Sequence, residues 1–303
     1  MLAGELLKDG TLLNKDVLKW PFIRDALKTA FVVKANNVQE YIRTWHPRTQ
    51  MLREAFPNVA PPFDLMWVEY ADPMGQKGML LHATSRRKNP DMLVWSDEFP
   101  GREDVEWVLN NYLFMFSREY RKAVFAAHIH YGVLNDGALV WPKIPDHGEG
   151  LAIRTSEMYE RMGAPEQGED RQGIVTMALE TVFMTLQFMH CKNVIVEKSP
   201  ATPQRVQRKR EREGKLPLMR FHTIRIDPGF SRSAGADGPG GHREHGNALH
   251  ICRGHFKTFS TERPLFGRFA GTYWWPMIVR GQKQEGIIDK EYEVGRSGGE
   301  ASG

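Results

Sequence analysis

Cysteine is nearly absent from this chain of 303 residues, which carries only Cys191 and Cys252. Two thiols cannot staple a loop-rich scaffold, so a disulfide framework is excluded and a reducing compartment is expected. Long apolar runs are missing as well. No stretch approaches the ~18 uncharged apolar residues that a membrane-spanning helix needs. The opening MLAGELLKDGTLLNKD lacks the apolar core of a signal peptide, and the expectation is a soluble protein of the cytoplasm. There is no P-loop, GxSxG elbow or GxGxxG fingerprint, and Gly238-Pro239-Gly240-Gly241 reads as loop rather than phosphate cradle. With 41% hydrophobic residues the chain can still bury a substantial core, as one large domain or two.

What is present is unevenly charged. Residues 196–283 hold 17 Lys+Arg against 7 Asp+Glu, a balance of +10. Residues 1–195 hold 22 against 25 and residues 284–303 hold 2 against 5, so the whole returns to +4. A mildly acidic body with one concentrated basic segment is the distribution of a polyanion-binding region. The densest run, QRVQRKREREGK from Gln204 to Lys215, carries Arg205, Arg208, Lys209, Arg210, Arg212 and Lys215. It reads as an exposed helix or flexible arm, serving either phosphate contact or simple solvation.

Residues 249–281 read as a β-hairpin. They hold His250, Arg253, His255, Lys257, Arg268, Tyr273, Trp274, Trp275 and Arg280. Cations bind phosphate and rings stack on unstacked bases, so this mixture suits single-stranded RNA. Alternation along a strand puts Arg253, His255, Lys257 and Phe259 on one face and His250, Cys252, Phe256 and Thr258 on the other. Gly254 allows a bulge or a close backbone approach. The run 271–279 supplies the antiparallel partner, and Pro276 marks an edge or a ladder end. The competing reading makes the rings core and the cationic row a solvated face.

The body reads as α+β, with a helical N-terminus, a mostly antiparallel sheet and a basic C-terminal β-hairpin module. Residues 15–56 are predicted helical from Val38, Tyr41, Ile42 and Trp45, with Asn36 or Asn37 as cap and Pro47 as terminator. Apolar runs at 63–70, 79–82, 92–95, 113–116, 123–133 and 138–141 are predicted strands, with Asn135-Asp136-Gly137 a hairpin turn. Residues 173–190 are a second helix, with methionines as core filler. Strands follow at 194–196 and 218–226, and the glycine-rich 229–247 reads as a disordered loop. The expected organisation is a body over 1–198, a basic arm over 199–218, a basic β module over 219–294 and a flexible tail over 295–303.

Five potential zinc ligands, His242, His245, His250, Cys252 and His255, fall close together, but their spacing matches no closed structural site and no second cysteine pair completes one. No metal and no cofactor are expected. His128 and His130 share a strand face with nothing acidic nearby in sequence, and read as structural histidines.

The run His250-Ile-Cys-Arg253-Gly254-His255-Phe256, followed by Trp275-Pro276, resembles the C-terminal signature of a type V-A anti-CRISPR family. The order of elements is also similar: a helical start, a proline–aromatic strand at 62–70, a long apolar helix, a basic stretch, then the HxxRGH hairpin. The resemblance implies a phage-type accessory protein that lowers the messenger RNA of a nuclease after its nascent N-terminus is recognised. Its specific part covers residues 249–280. The expected function is therefore an anti-CRISPR-like protein that evades host defence by acting on RNA or on translating ribosomes to down-regulate a specific host product. Its partners would be RNA, a ribosome–nascent chain complex or a host protein, without a membrane, in the host cytoplasm. One alternative is a metal-independent endoribonuclease, with His255 as general base or acid and Arg253 and Lys257 stabilising the phosphorane. Another is a phage structural or protein-binding module whose aromatic hairpin is an interface hot spot.

Overall fold

Apolar side chains on both faces of one sheet organise the chain. The computed structural model describes residues 2–7, 12, 20–44, 55–72, 75–117, 121–144, 148–149, 152–155, 168–215, 218–226, 248–252, 254–275, 278–280 and 282–287. Helices are α1 (Leu2–Leu6), α2 (Trp20–Thr29), α3 (Val38–Thr44), α4 (Val94–Asp97), α5 (Gly168–Met189) and α6 (Gln204–Arg212). Strands of the main sheet are β1 (Phe31–Lys34), β2 (Leu65–Asp72), β3 (Gly75–Ser85), β4 (Val105–Ser117), β5 (Lys122–Leu134) and β6 (Leu139–Val140). A short pair, β7 (Lys143–Ile144) and β8 (Gly148–Glu149), precedes β9 (Ala152–Thr155), which joins β5. Then come β10 (Val194–Lys198), β11 (His222–Ile226), β12 (Ala248–Cys252), β13 (His255–Phe259), β14 (Gly271–Trp275), β15 (Ile278–Arg280) and β16 (Gln282–Ile287).

The sheet runs β10-β11-β1-β2-β3-β4-β5-β6. It is antiparallel except where β1 lies parallel to both β2 and β11. The class is thus α+β with a helical start. The long antiparallel ladder follows from alternating β-branched and aromatic residues joined by tight turns. At Asn135-Asp136-Gly137 the expected hairpin turn forms: Gly137 adopts φ 91°, its N–H donates to Leu134 O, and Asp136 Oδ1 accepts the Ala138 N–H.

Alternation sorts the two faces. Met66, Val68 and Tyr70 pack with Leu109, Leu113, Ile129 and Tyr131 against α5, through Val182, Phe183 and Leu186. Trp67, Leu80, Phe114 and Phe125 pack with α1 and α2 on the other side. Glu69 is buried on that second side and accepts from Ala3 N (3.2 Å), Trp67 Nε1 (3.0 Å) and Gln76 Nε2 (2.7 Å), so its charge is satisfied while it pins α1 to the sheet. A buried ion pair, Lys77–Asp72, closes the β2–β3 end.

Two secondary-structure expectations are corrected. Residues 31–34, predicted helical, form β1 between two helices, because the aromatic Phe31 and the β-branched Val32 and Val33 suit a strand held between β2 and β11. Asn36 and Asn37 stand just before α3, the Asn37 carbonyl accepting Glu40 N (3.2 Å), while Asn36 Oδ1 accepts from Ala71 N (3.0 Å) and Asn37 Nδ2 donates to Ile224 O. The 92–95 run is the start of a short helical turn with Trp95 buried, not a strand. The sheet also crosses the expected boundary at 218/219, since β11 sits hydrogen-bonded between β1 and β10. The glycine-rich 229–247 and the tail 295–303 lie outside the described residues. Among those described, no helix is long and apolar enough to cross a membrane.

Candidate nucleic-acid interface

The expected antiparallel pairing forms, interrupted once. His250 pairs with Arg280, Ile251 with Val279 and Cys252 with Ile278. After the break, His255 pairs with Trp275, Phe256 with Trp274, Lys257 with Tyr273 and Phe259 with Gly271, at the same offset. β12 also takes β16 as a parallel neighbour on its other edge. At the break stands Gly254, where a Cβ would lie 2.6 Å from the Trp274 ring. This is the close approach expected of that glycine.

Cross-strand pairing then separates two rows. Phe256 and Trp274 face inward: their rings lie 4.8 Å apart, and Phe188 of α5 meets Trp274 edge-on at 5.1 Å. Asn193, at the foot of β10, donates to Trp274 O (2.8 Å) and accepts its N–H (2.9 Å). Trp274 is 1% exposed, so its expected role as a nucleic-acid contact is corrected to a core anchor. The other row keeps the expected set of His255, Lys257 and Phe259, with Tyr273 and Trp275 across from them. Lys257 is exposed, and its Nζ lies 5.0 Å from the Phe259 ring centre and 5.6 Å from that of Trp275. Phe259 and Tyr273 meet edge-on at 5.9 Å. Tyr273 is itself covered, and burial pushes the pKa of its hydroxyl up.

The connecting loop adds rings that composition alone did not single out. Leu265 and Phe269 exchange backbone hydrogen bonds (2.9 and 3.0 Å), closing a turn in which Phe266 has φ 52° and Gly267 φ 69°. Phe266 and Phe269 are exposed there beside exposed Arg268. Arg253 lies outside the described residues, as do the side chains of His250, Cys252 and Arg280 and the candidate ligands His242 and His245. Of the proposed catalytic trio, the structure therefore describes His255 and Lys257, on one face.

The basic arm is a helix. Nothing on α6 is buried; Arg205, Arg208, Lys209 and Arg212 are exposed along it, Arg210 half so, and Lys215 is exposed just beyond. Cations in its last turn are favoured there by the helix dipole. Glu213 offsets Lys209 (3.9 Å) and Lys215 (2.7 Å). Gln207 anchors the helix by donating to Leu218 O (3.1 Å) and accepting from Leu218 N (3.0 Å). α6 thus departs from the Lys198 end of β10 while the hairpin is held at Asn193, separated by the length of a five-residue strand, about 13 Å.

The His128–His130 pair belongs to a polar cluster whose other members the sequence did not point to. Asn110 Oδ1 accepts from His128 Nε2 (3.0 Å) and His130 Nδ1 (3.0 Å), and Tyr112 stacks on His128 at 5.0 Å. His130 Nε2 pairs with Glu98, an acid that lies far from it in sequence and that the fold brings beside the histidines. Cys191 is buried: burial pushes its thiol up to about 12, and its Sγ donates to Gln187 O. Two clefts flank the sheet, one of about 240 Å³ at Glu98, Phe99, Arg102 and Trp141, and one of about 440 Å³ at Phe31, Phe63, Lys198 and Arg220. Comparison with known protein families, curated proteins and solved structures finds no match to this chain.

Proposed function

We propose that this chain is an RNA-binding accessory protein that holds single-stranded RNA on the outward row of the β13–β14 hairpin and along α6. The observation that carries this reading is Lys257 lying over two rings, with His255 beside it on the same face. Phe259 and Trp275 offer stacking to unstacked bases while Lys257 meets phosphate. The cations of α6 add sequence-independent attraction to the backbone. The further role, acting on RNA or translating ribosomes to lower a host product, rests on the anti-CRISPR resemblance of residues 249–280. An adaptor is favoured over an endoribonuclease because strand cleavage needs a base and an acid. The described outward row holds one histidine.

The test is fluorescence anisotropy of a labelled unstructured RNA across salt concentrations. Wild type is expected to bind with steep salt dependence, and Lys257→Ala with Trp275→Ala to weaken binding at least tenfold, one stacked base being worth ~1–3 kcal/mol. Neutralising Arg208, Lys209, Arg210 and Arg212 should flatten the log–log slope by up to about 3. Salt-insensitive binding, or none, would return the hairpin to an aromatic protein interface. RNA shortened by the purified protein but not by His255→Ala would make it the nuclease.

A further inference from the structure

We infer a second nucleotide-binding site in the cleft where the amino ends of β1 and β2 meet the start of β11, its ligand being one unstacked nucleotide of a single-stranded RNA. The inference deepens the RNA-binding reading and rests on it for the length of the strand, though not for the nucleotide itself. The cleft, about 440 Å³ and lined by Phe31, Phe63, Asp64, Lys198, Arg220 and His222, lies within the size range of small-ligand sites. Three of these residues form a ready-made stack. Phe63 lies on Phe31 at 4.0 Å and 15°, and Phe31 on His222 at 3.9 Å and 15°. His222 is fixed from below, its Nδ1–H donating to Val32 O (3.1 Å). Phe63, outermost in the stack, is 43% exposed, so its ring is accessible to a base, and the stack that supports it is already ordered.

The charges fit the rest of a nucleotide. Lys198 and Arg220 are both exposed, and neither is ion-paired to a described carboxylate. Asp64 is already engaged by Lys88, which offsets its repulsion of phosphate. The two cation-bearing segments are clamped together, Ser199 N donating to Phe221 O (2.8 Å) and Phe221 N to Ser199 Oγ (3.1 Å). Gln207 then ties α6 to Leu218, two residues before Arg220, so a strand leaving the cleft meets the basic helix at once. The base stacks on Phe63 and the phosphate lies between Lys198 and Arg220.

Calorimetry of the full chain at low salt with AMP, UMP and inorganic phosphate tests this. Both nucleotides should bind more tightly than phosphate alone. Phe63→Ala should weaken nucleotide binding about tenfold, in line with one lost stacking contact, and leave phosphate unaffected. Arg220→Ala, at an exposed position that does not threaten the fold, should weaken both. The hairpin pair Lys257→Ala with Trp275→Ala should leave mononucleotide binding unchanged while lowering RNA binding. The site is overturned if neither nucleotide binds, if phosphate binds as tightly as AMP, if Phe63→Ala matches wild type, or if the hairpin pair abolishes mononucleotide binding. Mononucleotides bound with no affinity for RNA would leave the cleft standing and remove the RNA-binding function.

Discussion

Gly254 and Trp274 set the inner boundary of the hairpin. An alanine at 254 places its Cβ 2.6 Å from the indole, and the indole cannot retreat because Phe188 and Phe256 pack against it. Gly254→Ala should therefore cost about 1–3 kcal/mol through overpacking. Urea unfolding followed by tryptophan fluorescence would show it, and an unchanged midpoint would mean the ring is not held. This pair also shows what single residues reveal in sequence. The row of His255, Lys257 and Phe259 was legible because strand alternation is local. Which of Trp274 and Trp275 faces inward was not. Both parities were open until Phe188, on a helix far upstream in the chain, packed against one of them. The pairing of His130 with Glu98 was not legible for the same reason: the contact is non-local.

Among elements, α5 carries the largest share of one face, yet it includes a carboxylate that the packing does not favour. Burial raises the Glu180 pKa above its ordinary value near 4.5. A raised folded pKa means stability that is present below about 4.5 and lost as pH rises through the folded value. Glu180→Gln should accordingly raise the melting temperature at neutral pH, with the gain shrinking as pH falls below the ordinary value. Equal gains at both pH values would show that the effect is not electrostatic. The long elements β5 and α5 were legible from periodicity and turn signals, and of β4 only the apolar run at residues 113–116. β1 was not, because four residues between two helices carry too little pattern to override their flanks.

At the scale of the molecule, β11 is the piece that makes the sheet continuous, although it follows the basic helix in sequence. A body ending at residue 198, as composition suggested, would leave β10 without its partner, β1 with an open edge and the core without Trp274. The fragment 1–198 should show no cooperative thermal transition by circular dichroism; a sharp transition near that of the full chain would establish an autonomous body. The insertion of β11 also has a temporal side. Between the end of β1 at Lys34 and the end of β11 at Ile226 the ribosome must add 192 residues, which takes roughly 10–40 s at typical elongation rates. During that interval the edge of β1 that will receive β11 has no native partner, and an open edge of this kind can pair with the wrong strand.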